Sequence, residues 1–288
     1  VNAYLSTQDV TLQVPHFIQG ERPTKTFAST LLSAVVSRPR REYRKILSNI
    51  TFQAKEGDRI ALMGRNGAGK TTLLRMLSGA FKPTTGYVEV AGTVQALLNL
   101  GLGFHQDATV RENAFVRAAA MGMSTRDVGL HMADILHFAG LEHAVNHRLS
   151  TLSSGQRMRL GFAISTTVQH DIMLMDEWFG AGDAEFVEKA RERMVDRVTG
   201  SKIVVLASHS FQMLRRICNL GMVIEAGEMI YFGPIGTAID EYKNIYQSTP
   251  EYIARRKFEA ENVSLVTKHI VTRDEAASGR GGAGDGSG

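Results

Sequence analysis

"RIALMGRNGAGKTTLLRML", residues 59–77, decides how the rest of the chain is read. After Arg59 its opening residues are uniformly apolar rather than alternating, which predicts a strand covered on both faces. Its last eight residues place Leu73, Leu74, Met76 and Leu77 at helical spacing. Between strand and helix, Gly64 to Thr71 fit the pattern G-x-x-x-x-G-K-[ST], in which each residue type has a physical task. The loop Gly64, Arg65, Asn66, Gly67, Ala68 and Gly69 can turn its backbone N–H groups inward around a phosphate, because its glycines carry no Cβ to clash. Lys70 is then placed to reach the terminal phosphates, and the Thr71 hydroxyl to ligate Mg²⁺, with Thr72 beside it.

Working outward, "IMLMDEWFGAGD" (172–183) runs an apolar strand into Asp176 and Glu177. Open α/β sheets bind ligands at the carboxyl ends of their strands. Two adjacent acids are ordinarily a solvated turn, but downstream of a phosphate loop they take on roles. Asp176 is placed to hold Mg²⁺ and Glu177 to polarise a water for attack on a γ-phosphate. His209 in "VVLASHS" (204–210) ends another apolar strand, where it could contact that phosphate and help position the water. In "STLSSGQRMRLG" (150–161), Ser153 and Gln156 fit a capping box, and Leu160, Ala163, Ile164 and Val168 follow at helical spacing. A helix N-terminus bearing Ser153, Ser154 and Gly155 also suits an anion.

The remaining sequence bounds the fold. At 288 residues, 43% hydrophobic and 22% charged, the chain has ample material for a core. A net charge of +4 is too small to indicate a nucleic-acid partner. Cys218 is the single cysteine, so no intrachain disulfide can form, which suits the cytosol. No apolar run reaches the roughly 18 residues of a membrane span, and "VNAYLSTQDV" lacks the blocks of a signal peptide. A soluble cytoplasmic chain is expected. Continuous apolar runs at 59–64, 171–176 and 202–208 predict an α/β core with a mostly parallel sheet. Alternating pieces at 10–14, 50–54 and 86–92 predict a smaller antiparallel β subdomain. Residues from about 107 to 155 read as a helical subdomain, with Ser124 capping its clearest amphipathic segment. Residues 16–45 form an excursion containing apolar "TFASTLLSAVVS" (26–37) and basic "RPRREYRK" (38–45). It could lie against a membrane surface or membrane partner, or pack as a helix on its own domain. The expected division is a nucleotide-binding domain over 1–245 and a polar tail over 246–288, Gly-rich and disordered at its end.

In this order the motifs resemble the nucleotide-binding subunits of ABC transporters, over roughly residues 8–245. "LSSGQ" (152–156) is similar to that family's signature loop, "MDE" (175–177) to its acidic strand end, "GAGD" (180–183) to its D-loop with Asp183, and "SHS" (208–210) to its switch histidine. The resemblance implies a P-loop NTPase fold and hydrolysis of ATP with Mg²⁺. It also implies two subunits facing head to tail, with Ser153, Ser154, Gly155 and Gln156 of one closing over the ATP of the other. The family's glutamine after the strand that follows the antiparallel segment falls at His105 or Gln106 in "GLGFHQDATVREN" (101–113). An aromatic residue that stacks on adenine would fall near "LQVPHF" (12–17), where Val14 holds the matching position and Phe17 is the candidate.

A finer likeness is carried by "GRNGAGKTTLLRMLSGAFKPTTG" (64–86), "LSSGQRMRLGFA" (152–163), "DEWFGAGDAEFVEKA" (176–190) and "SHSFQMLRRICN" (208–219). These resemble the subfamily exporting capsular polysaccharide, O-antigen or teichoic acid. That implies a homodimer joined to two copies of an integral membrane permease at the cytoplasmic face of the inner membrane, with a lipid-linked glycan as cargo. The carbohydrate-binding β-sandwich that some members append is not expected here. The same motifs would serve an ATPase exporting a drug or lipid. A soluble ABC-type ATPase acting on DNA would need a long coiled coil between the phosphate and signature loops. Residues 71–152, which separate Lys70 from Ser153, hold no sustained heptads. Ribosome-acting members carry two cassettes, and this chain holds one.

Overall fold

The structure is a computed structural model that describes residues 2–18, 40–98, 103–177 and 184–247. Residues 1–239 form one compact unit. In chain order it holds β1 (Tyr4–Ile18), β2 (Arg40–Lys55), β3 (Arg59–Met63), α1 (Lys70–Leu77), β4 (Thr85–Ala91) and β5 (Val94–Leu97). Then come α2 (Val110–Ala120), α3 (Thr125–Ala139), α4 (Ser154–Ser165), β6 (Ile172–Asp176), α5 (Ala184–Gly200), β7 (Ile203–Ala207) and α6 (Phe211–Ile217). The hairpin β8 (Leu220–Glu225) and β9 (Glu228–Pro234) leads into α7 (Ile235–Gln247).

The fold is α/β of the P-loop NTPase kind. Among the described residues the strands form one sheet in the order β4-β1-β2-β9-β8-β3-β7-β6-β5. The block β8-β3-β7-β6-β5 is parallel throughout, whereas β4-β1-β2 is antiparallel. The three central parallel strands β3, β7 and β6 are the continuous apolar runs, and Ile60, Leu62, Leu174, Val204 and Leu206 are wholly buried. Each such side chain contributes about 1.5–3 kcal/mol relative to exposure, so any polar substitution in this row is strongly destabilising.

Between β5 and β6 the chain leaves the sheet to build a helical lobe. Val110, Ala114, Val128, Ile135, Leu149, Leu160 and Ile164 form its separate apolar core. Its helices begin where local chemistry starts them. Thr109 and Glu112 make a capping box for α2, Ser124 accepts from the Asp127 N–H to cap α3, and Gly140 closes α3 in the left-handed conformation. The lobe is tied to α5 by Phe138, Phe162 and Phe186, whose ring centroids lie 5.6–5.9 Å apart. Arg193 adds to the tie, its guanidinium 3.8 Å above Phe138 and its Nη2 3.2 Å from Asp134.

The excursion expected over 16–45 is narrower than that. β1 extends to Ile18 and β2 begins at Arg40, so all of "RREYRK" (40–45) is strand, with His16 opposite Glu42, Pro15 opposite Tyr43 and Gln13 opposite Lys45. Backbone pairing across the two arms outweighs the weak strand preference of these charged residues, whose side chains from Glu42 to Lys45 are exposed. The segment 19–39, with its apolar "TFASTLLSAVVS", lies outside the described residues, as do 99–102, Asp183 and the tail beyond 247.

Candidate nucleotide site

The phosphate loop leaves the buried end of β3 and is clamped from two sides. The Gly227 N–H donates to the Ala68 carbonyl at 3.0 Å, and the Ser48 N–H to the Gly227 carbonyl at 2.8 Å, so β2 and the β8–β9 turn both brace it. Gly69 precedes α1 with φ +108°. A Cβ there would stand 2.8 Å from the Leu47 side chain and 3.2 Å from the Ile46 carbonyl oxygen. Both the left-handed backbone and the close approach of β2 therefore require glycine. Ile46 is the extra residue of a bulge: Leu47 pairs with Leu12 and Lys45 with Gln13. The bulge turns the strand over the loop.

The Lys70 ammonium donates to the carbonyls of Gly64 at 2.7 Å and Arg65 at 3.0 Å, bridging the mouth of its own loop. Partial burial pulls it below the usual lysine range, and Asp176, Glu177 and Glu225 act in the opposite direction. The Thr71 hydroxyl donates to Asp176 Oδ2 at 2.5 Å. One step beyond β6, Glu177 takes a left-handed backbone with φ +71°, a conformation that costs a non-glycine residue about 1–2 kcal/mol. Its N–H still donates to the Ala207 carbonyl at 2.8 Å, which pins the turn. The Glu177 carboxylate lies 3.7 Å from His209 Nε2, with their side chains 68% and 53% exposed.

These groups share one cleft of about 460 Å³, lined by Asn66, Gly67, Gly69, Lys70, Thr71, Thr72, Asp176, Glu177 and His209, with Ile46 and Leu98 as its larger apolar members. The donor set fits a magnesium nucleotide. Thr71 and Asp176 offer two hard oxygens side by side, and no cluster of three metal-binding side chains occurs among the described residues. A cation there must take its other ligands from phosphate and water, as Mg²⁺ does.

Other sequence-derived candidates stand elsewhere. The capping box of Ser153 and Gln156 is formed: the Gln156 N–H donates to Ser153 Oγ at 3.2 Å and the Ser153 N–H to Gln156 Oε1 at 2.9 Å. Ser153, Ser154, Gly155 and Gln156 do not line the cleft. A Cβ on Gly155 would meet nothing nearer than Ser153 Oγ at 3.9 Å, so its own chain does not require that glycine. His105 and Gln106 do not line the cleft either. β5 ends at Leu97, and these two residues lie in the turn before α2, where Asn113 holds the backbone N–H and carbonyl of His105 at 2.7 and 2.9 Å. Among the described residues after β5, Leu98 reaches the cleft. Gln106 accepts a bond from Arg157 Nη1 at 3.0 Å, linking that turn to α4. Asp183 and the Phe17 side chain lie outside the described residues. Ile46, Leu98 and Arg157 went unmarked in the sequence; only long-range pairing brings them into place.

Residues 47–180 match the family described as ABC transporter. An O-antigen export system ATP-binding protein of Yersinia enterocolitica is 38% identical over 185 residues, covering 64% of this chain and 77% of that protein. Its counterpart in Myxococcus xanthus is 35% identical over 197 residues, covering 68% of this chain and 45% of that protein. A teichoic acids export ATP-binding protein of Lactococcus lactis is 32% identical over 201 residues, 70% of this chain and 43% of that protein. The match thus spans under half the length of two of these relatives. Among solved structures, the ATP-binding subunit of an ABC transporter superposes with TM-score 0.60 at 18% identity, covering 83% of this chain and 93% of the other. A dimeric ATP-binding cassette bound to ADP and Pi superposes with TM-score 0.58 at 20% identity, covering 80% and 98%.

Proposed function

This chain belongs to the ABC transporter family, and from that membership we propose that it is the ATPase subunit energising export of a lipid-linked polysaccharide across the cytoplasmic membrane. The observation that carries the catalytic reading is the convergence of Lys70, Thr71, Asp176, Glu177 and His209, drawn from three separate stretches of sequence, on one cleft. In this reading Lys70 exchanges its loop carbonyls for phosphate oxygens, and the Thr71 hydroxyl and Asp176 hold Mg²⁺. The bound cation neutralises charge on the phosphates. Glu177 orients the attacking water and takes up its proton, while His209 Nε2 steadies that carboxylate and the water. Ile46 supplies the apolar contact for the base.

The cleft is half of the working site in this proposal. Ser153, Ser154, Gly155 and the start of α4 would meet the γ-phosphate held by a second copy of the chain, arranged head to tail. The open space at Gly155 supports this. Gln106, through Arg157, would connect the turn after β5 to that signature helix. Among the described residues no helix is long and apolar enough to cross a membrane. The proposed partners are therefore two copies of an integral permease, with this subunit held at the cytoplasmic face, where ATP is.

The cargo assignment leans on relatives named for O-antigen and teichoic acid export. Its test is the location of glycan in cells depleted of the protein and rescued with wild type or Glu177→Gln. Lipid-linked glycan accumulating inside, cleared by wild type alone, is the expected result. Unchanged surface and internal glycan would leave an ATPase serving another exported cargo.

A further inference from the structure

A second cleft, about 580 Å³ against about 460 Å³ at the nucleotide site, takes no part in the chemistry above. It opens between α5 and α6. Its floor is apolar, made by Val195, Val198, Met213 and Ile217, and Val195 is 49% exposed there. Arg59, Arg191 and Arg216 stand around it, and no acidic side chain is among its described lining residues. Arg59 is fixed in place, its Nη1 donating to the Val198 carbonyl at 2.6 Å, which closes the end of α5 without neutralising the charge. Arg191 shares its charge with Glu188 at 3.5 Å, an exposed pair of small strength. Arg216 is exposed and has no acidic partner at ion-pair distance among the described residues.

An apolar floor surrounded by guanidinium groups is complementary to a molecule with an apolar body and an anionic head. The volume falls within the range of small-ligand pockets, roughly 300–1,000 Å³. A lining of ten residues is well short of the roughly 20–30 per side in a stable protein interface. We propose that this groove is an effector site for a soluble amphipathic anion: an acyl or aryl group carrying a phosphate, sulfonate or carboxylate. Its position links it to hydrolysis. Ser210 borders the groove, follows His209 directly, and caps α6 by accepting from the Met213 N–H at 3.4 Å. Met213 also lies on the groove floor, so an occupant pressing on it bears on the turn that carries His209. This effect on hydrolysis rests on the ATPase reading; the binding does not.

The test uses the full 288-residue chain without nucleotide. Fluorescence of anilinonaphthalene sulfonate reports binding, and octyl phosphate and uncharged octyl glucoside serve as competitors. Arg216→Glu and Val195→Asp change exposed groove residues, and Leu130→Asp, on α3 at a site 72% exposed, is the control. Thermal melting verifies that each variant folds. The expected result is displacement by octyl phosphate but not by octyl glucoside, with binding weakened about tenfold or more in each groove variant and unaltered in the control. Equal affinity in all variants, or equal displacement by the uncharged detergent, would overturn the assignment. So would displacement by an acidic amphipathic peptide alone, which would make the groove a protein-docking surface. In the second arm, octyl phosphate should alter the ATP hydrolysis rate of wild type more than that of Val195→Asp. Groove binding with no such difference would refute the effector role and leave the ATPase reading intact. Groove binding in a chain that hydrolyses no ATP would instead refute the ATPase reading.

Discussion

Replacing Gly155 with alanine separates the needs of the single chain from those of the proposed shared site. Gly155 lies in the first turn of α4, and a Cβ placed there has no neighbour closer than 3.9 Å. Alanine therefore introduces no clash within the subunit. It should gain helix propensity and lose unfolded-state entropy, together about 0.5–1 kcal/mol. For a chain of this size that is a rise of roughly 1–4 °C in Tm. The outcome differs if a partner's γ-phosphate packs against this turn. A methyl group forced into a filled contact costs about 1–3 kcal/mol, or roughly 5- to 150-fold in assembly and hydrolysis. The assays are melting without nucleotide, steady-state ATPase, and ATP-driven dimerisation followed by size exclusion. A higher Tm with a matching fall in the other two is expected. A higher Tm with undiminished hydrolysis would refute the shared site, and a lower Tm would refute the claim that the fold leaves this glycine free.

Lys70→Met should weaken binding of a fluorescent ATP analogue by more than about 100-fold, because a half-buried ammonium aimed at the loop mouth has no substitute nearby; retained affinity would count against it. Glu177→Gln should bind ATP yet hydrolyse it at least about 100-fold more slowly and elute as a dimer with ATP, where a monomer under saturating ATP would be the contrary result. Asp171 accepts from the Thr93 backbone N–H and hydroxyl, both at 2.9 Å, and faces Lys202 at 3.3 Å, contacts that hold its carboxyl below the usual range. Because the folded pKa is the lower one, this stability is present above the unfolded value of about 3.9 and is lost as pH falls through the folded value. Asp171→Asn should therefore lower the urea midpoint at about pH 7, with the gap to wild type closing toward about pH 3; a gap constant with pH would exclude the account.

Features set by neighbouring residues were legible in the sequence. The capping boxes need partners only three positions apart, so Ser153 with Gln156 and Ser124 before its amphipathic run could be recognised without tertiary information. The buried strands could too, because two covered faces leave no alternation to mislead. Long-range pairing was not legible. The bulge at Ile46 exists only because β2 pairs with β1 out of step by one residue, and no local pattern marks it. The left-handed Glu177 is imposed by its bond to Ala207 on a distant strand. His105 and Gln106 were expected after the strand that follows the antiparallel segment, and they lie eight and nine residues beyond the end of β5 at Leu97, in the turn before α2. The β8–β9 hairpin carries no chemical motif, yet its Gly227 braces the phosphate loop.

The strand order also sets a sequence of events during synthesis. β3, which carries the phosphate loop, pairs Arg59 with Val204 and Ile60 with Leu220. The buried core of the helical lobe comes from residues 110–164. A chain emerging from the ribosome can condense that lobe early through contacts of short sequence range. β3 meanwhile waits, its apolar faces uncovered, until the last strands of the sheet are translated. During that interval the nascent chain depends on chaperones or speed to avoid aggregation. Because Gly227 lies in the last hairpin of the sheet, its brace on the phosphate loop forms late. The nucleotide cleft is therefore among the last features of the fold to be completed.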